Sequence, residues 1–130
     1  MIPLLRSVLC VILFIAAGCG RSDLHRVSGR VAFSNGDPVS TGRVVVDYND
    51  GKGAWGLIKT DGSFSVGTLK ESDGMRAGTY RVVVKDAMVP GEEPGTFRSI
   101  VHPRFADPTT SGLEFTVPDQ TTWNIVVEKP

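Results

Sequence analysis

Four residues of this 130-residue chain would make a ligand set on paper: His25, His102, Tyr48 and Tyr80, its only histidines and tyrosines. Imidazole nitrogens and phenolate oxygens can both bind a metal ion. Their placing argues against that use. No His-x-His pair brings the imidazoles together, His25 precedes the first strand-like segment, and Tyr80 falls in the strongest strand pattern of the chain. Core and surface roles are expected for all four, with no metal site and no cofactor.

Other constellations are weaker. Asp47-Tyr48-Asn49-Asp50-Gly51 has the outline of a calcium loop, but its glycine comes one position early and no Glu closes a twelve-residue span. A solvated hairpin tip is the expectation there. No Gly-x-Ser-x-Gly elbow occurs, and Glu92-Glu93 lies in a Pro/Gly-rich stretch that reads as solvated. The long connection 86–112 holds the remaining candidates, His102, Arg104 and Phe105, because a loop longer than about 15 residues is uncommon unless it is functional or flexible. One reading has these three contact a partner. The other, which we prefer, has Val101 and Phe105 staple the loop to a core while Pro103 and Pro108 stiffen it. No catalytic residue is expected.

The elements that must position these residues begin after residue 18. Arg6 supplies a positive charge, Ser7 to Gly18 are uncharged, and the run ends in Ala16-Ala17-Gly18-Cys19 before turning polar. That run is too short for a comfortable membrane span, which takes roughly 20 apolar residues, and has the length of a signal-peptide core. Ala16-Ala17-Gly18-Cys19 resembles the lipobox of bacterial lipoproteins, with Ala16 where Leu is common. The resemblance implies a lipid on the Cys19 thiol, cleavage before Cys19 and acylation of its new amino group with a palmitate-type chain. Several such chains make release from a bilayer rare, at about 0.8 kcal/mol per buried methylene. With Gly20, rather than Asp, after the cysteine, the same resemblance implies the outer membrane. The expected organisation is a signal peptide over 1–18, the lipidated Cys and a polar tether over 19–25, and a domain over 26–130. Cys10 leaves with the signal peptide, so no disulfide is expected in the remaining chain.

That domain reads as all-β. The chain has 15 Gly, 8 Pro and 41% hydrophobic residues, a composition suited to short strands and tight turns. Net charge is zero, and no basic stripe exists to bind nucleic acid. Period-2 alternation over 26–33 and β-branched or aromatic runs at 42–48, 54–60, 63–66, 78–84, 113–117 and 123–128 predict seven strands. Trp55, Leu57, Phe64 and Val66 are expected to face inward, and Trp123 to be core. Asp61-Gly62 and Asn35-Gly36-Asp37-Pro38 are turn signals.

The order VSGRV, PVSTGRVVV, KTDGSFSV, RAGTYRVVV, then HPRFADPTTSGLEFTV and TTWNIVVE resembles the transthyretin-like or carboxypeptidase regulatory-like domain of small bacterial lipoproteins. The resemblance covers 26–128. It implies a seven-stranded Greek-key β-sandwich of the prealbumin type, most often an accessory or structural module. Hydroxyisourate hydrolases share the fold but end in Tyr-Arg-Gly-Ser, whereas this chain ends Val-Val-Glu-Lys-Pro. Intradiol dioxygenases hold iron with two Tyr and two His on a related sandwich, but through a His-x-His pair that this chain lacks. The functional expectation is a non-catalytic envelope lipoprotein. Its partners would be the bilayer, through acylated Cys19, and an envelope protein or glycan. The alternative is a carbohydrate- or small-ligand-binding module, which an exposed aromatic platform would distinguish.

Overall fold

The computed structural model describes residues 24–47, 53–68 and 70–130. The expected signal segment, Cys19 and the tip at 48–52 lie outside them. Alternation governs the first strand, β1 (Ser28–Phe33): Val31 and Phe33 are buried, as is Val27 just before it, while Ser28 and Arg30 are exposed. Four further strands follow along the chain: β2 (Arg43–Asp47), β3 (Ala54–Leu57), β4 (Ser63–Ser65) and β5 (Gly78–Lys85). After them come β6 (Met88–Pro90), β7 (Phe97–Ser99), a 3₁₀ turn (Pro103–Ala106), β8 (Leu113–Val117) and β9 (Thr122–Val127).

Three sheets result among the described residues. β1 is the middle strand of β4-β1-β9, antiparallel to β4 and parallel to β9. The second sheet, β3-β2-β5-β8, is antiparallel throughout. Val44, Val46, Val82 and Val84 from this sheet join Val31, Phe64, Ile125 and Val127 from the first in one apolar cluster. Trp123 is fully buried in it, stacked on Phe115 at 4.7 Å between ring centroids, with its Nε1 donating to the Gln120 carbonyl at 2.8 Å. A buried indole so satisfied contributes its whole apolar area without stranding a donor. The chain is all-β, and its two larger sheets share one core, as in a β-sandwich.

Turn chemistry behaves as the sequence predicts. The Asp61 carboxylate accepts from the Ser63 backbone N–H and hydroxyl, at 2.9 and 2.6 Å, while Gly62 takes φ +84°. A side chain there would strain this left-handed corner. Tyr80 packs its ring against the core, and its hydroxyl donates to the Arg76 carbonyl at 2.8 Å.

Three features differ from expectation. The connection 86–112 is not irregular: β6 and β7 pair as a separate two-stranded ribbon, which brings the strands to nine among the described residues. Next, His25 is not free tether. Its N–H and carbonyl pair with Met75 at 2.6 and 2.8 Å, so the folded domain begins before residue 26. Finally, Trp55 and Leu57 point outward, 49% and 61% exposed, rather than into the core. In β3 the inward phase belongs to Ala54 and Gly56, continued by Ile58. A Cβ on Gly56 would fall 2.0 Å from the Ser65 carbonyl oxygen, so the backbone of β4 crosses too near for a large residue in that phase. The bulky residues are left on the other face.

Candidate ligand groove at the Trp55 corner

Trp55 stands on an edge strand, and two close backbone approaches fix its position. Its own N–H and carbonyl bond Gly67, both at 3.0 Å, which ties β3 to the chain that leaves β4. On the inner side, Gly56 lies against Ser65. The outward face then carries Trp55, Leu57 and Lys59 in one row, all exposed. In register with Trp55 across the sheet are Val45 on β2 and, beyond it, Val83 on β5. The indole thus ends an apolar row.

A second wall comes from the segment after Gly67. The Asp73 carboxylate ties it down, accepting from the Thr68 N–H at 2.6 Å and the Lys70 N–H at 3.0 Å. Thr68 also donates its hydroxyl to the Gly74 carbonyl at 2.7 Å. These bonds hold Ser72 at φ +62°, a left-handed conformation that costs a non-glycine residue roughly 1 kcal/mol. Between this wall and β3 lies an open groove of about 460 Å³, bordered by Trp55, Leu57, Lys59, Ser65, Lys70 and Glu71 among others. Its size is that of a small-ligand site. Among the described residues the Trp55 indole N–H makes no hydrogen bond, and neither lysine makes an ion pair.

The residues singled out from sequence come together elsewhere, and they serve the fold. Phe105 is 2% exposed, inside the core cluster, and so cannot offer its ring to a partner as one reading of the loop required. Arg104 lies over that ring, 4.0 Å from its centroid, and reaches Glu128 at 3.8 Å. His102 accepts from the Arg104 N–H through Nδ1 at 3.1 Å, and its own N–H bonds the Glu128 carbonyl. Val101 is buried beside them, so the stapled-loop reading describes this segment.

Among the described residues no three His, Cys, Asp or Glu side chains gather closely enough to hold a metal ion. Tyr48 lies outside the described residues, as does the tip that resembled a calcium loop. Two carboxyls are held below their ordinary range. Asp61 is lowered by the Ser63 hydroxyl and then by the Ser63 N–H, and Asp107 by the same pair of groups on Thr109. Both carboxylates are turn caps. No family model, no curated protein and no solved structure matches this chain.

The groove was missed at the sequence level, although one signal was present. Trp55, Leu57 and Lys59 share a phase, and a lysine in that phase marks the solvent side.

Proposed function

We propose that this chain is a non-catalytic binding module of a bacterial cell envelope, held at the outer membrane by acyl chains on Cys19. In this reading residues 1–18 are removed and 19–24 tether the rest. The seven strands of the two larger sheets form a Greek-key, transthyretin-like sandwich. The lipobox-like Ala16-Ala17-Gly18-Cys19 supports the anchor. The half-exposed Trp55 beside an open groove carries the binding half of the proposal.

The module could contact an envelope protein or hold a carbohydrate or other small ligand. Trp55 favours the second. A flat amphipathic ring on a rigid strand loses little conformational entropy when it meets a ligand, and a membrane anchor raises local concentration enough for a weak site to matter. Intact mass of protein extracted from its own membrane, beside a Cys19→Ala variant, tests the anchor. The expected wild-type mass lacks residues 1–18 and carries acyl additions that the variant lacks. An unlipidated, secreted wild-type product would overturn it.

A further inference from the structure

We propose that the Trp55 groove binds a short acidic saccharide, one whose sugar rings carry carboxylates; this rests on the reading of the groove as a ligand site. Three observations select that chemistry. The first is the platform: Trp55 is 49% exposed on a strand whose backbone is held on both sides, and its indole N–H is free among the described residues. A sugar ring has an apolar C–H face to lay on the indole and hydroxyls to accept from it.

The second is the edge. A peptide would ordinarily recognise an edge strand by adding a strand to it. At Trp55 that route is closed, because both backbone groups already bond Gly67 at 3.0 Å. Recognition at this corner falls to side chains, which suits a saccharide better than an extended peptide.

The third is charge. Lys59 and Lys70 border the groove from its two walls, without ion-pair partners among the described residues, against the bordering carboxylate of Glu71. The Asp73 carboxylate that ties the loop wall is engaged by the Thr68 and Lys70 N–H groups. Among the bordering residues the excess is positive, with one ammonium on the strand wall that carries the indole and one on the loop wall facing it. A carboxylate on a stacked sugar therefore has an ammonium to meet, while Ser65, Thr68 and Ser72 offer polar contacts for neutral hydroxyls.

The test uses the protein as its cells produce it and two acidic probes, tri-galacturonate and a guluronate trisaccharide. Each is compared with its methyl ester, which keeps the sugar and removes the charge. Isothermal titration calorimetry follows the titration, a readout that survives removal of Trp55, the exposed one of the two tryptophans. We expect at least one acid to bind, with its ester about tenfold weaker. Trp55→Ala should weaken the acid by more than about tenfold. Lys59→Gln with Lys70→Gln should lower acid affinity about tenfold and leave the ester within about twofold, as two solvent-exposed ion pairs would allow. Equal binding of acid and ester, lost in Trp55→Ala, would overturn the acidic assignment and leave the groove as a neutral-saccharide site. No binding by either acid, or binding indifferent to Trp55→Ala, would overturn the proposal together with the reading of the groove on which it rests.

Discussion

The two tryptophans sit in strands of similar apparent character and meet opposite fates. Trp123 in β9 alternates with Thr122 and Asn124, and its phase continues into Ile125 and Val127, so the side that takes the indole is the core side throughout. Trp55 in β3 alternates with Ala54 and Gly56, and the small residues win the inner face because β4 passes so close to Gly56. What decides burial is the space opposite the strand, and size alone misleads. A tryptophan flanked by glycine and alanine on an edge strand is one the fold has turned away.

That contrast can be broken most forcefully at its buried end. Trp123→Ala is expected to remove about 3–5 kcal/mol, the cost of deleting a fully buried aromatic ring, and so to abolish the folded state or leave it marginal in urea denaturation. Trp55→Ala in the same assay should cost less than about 1 kcal/mol, because half of the ring is already in water. Equal losses would mean that the two environments are alike.

The next test acts on the cause. Gly56→Val places a side chain where the Ser65 carbonyl lies, and should cost roughly 2–3 kcal/mol by parting β3 from β4. Fluorescence of Trp55 should change with it. A variant as stable as the parent would show that the close approach does not set the phase of β3.

Two smaller effects sharpen the picture of the fold around that corner. Tyr80→Phe keeps the ring against the core and removes the hydroxyl that donates to the Arg76 and Ala77 carbonyls, for an expected loss of about 1 kcal/mol. The smallest effect is electrostatic. The Asp61 and Asp107 carboxyls are lowered in the folded protein from an ordinary value of 3.8. Their contribution is therefore present above that value and fades as pH falls through the lowered one. Acid titration of an Asp61→Ala variant should show a shallower loss of stability below about pH 4 than the parent. Identical acid limbs would show that the turn bonds at Ser63 contribute nothing.

Legibility followed the length and chemistry of each element. β1 and β9, six residues each, alternate cleanly enough that phase and type can be read directly. The turn at Asp61-Gly62 was legible because it depends on groups adjacent in sequence. β3 is four residues long and carries apolar residues in both phases, so only the distant Ser65 backbone resolves it. The β6–β7 ribbon was hidden for a related reason. Its strands are three residues each and leave Met88 and Phe97 largely in solvent, which no core-seeking pattern would pick out. The groove inherits both difficulties, since one wall is the misphased strand and the other a loop tied by Asp73.

The parallel pairing of β1 with β9 has a temporal consequence. Among the described residues the first strand lies in the middle of its sheet, and the neighbour it runs beside is the ninth. While the chain is being synthesised, β1 can find β4 but has no partner on its other side, and the cluster still lacks Trp123, Ile125 and Val127. The domain therefore stays incomplete until β9 is available. A nascent chain wired in this way cannot close its core early.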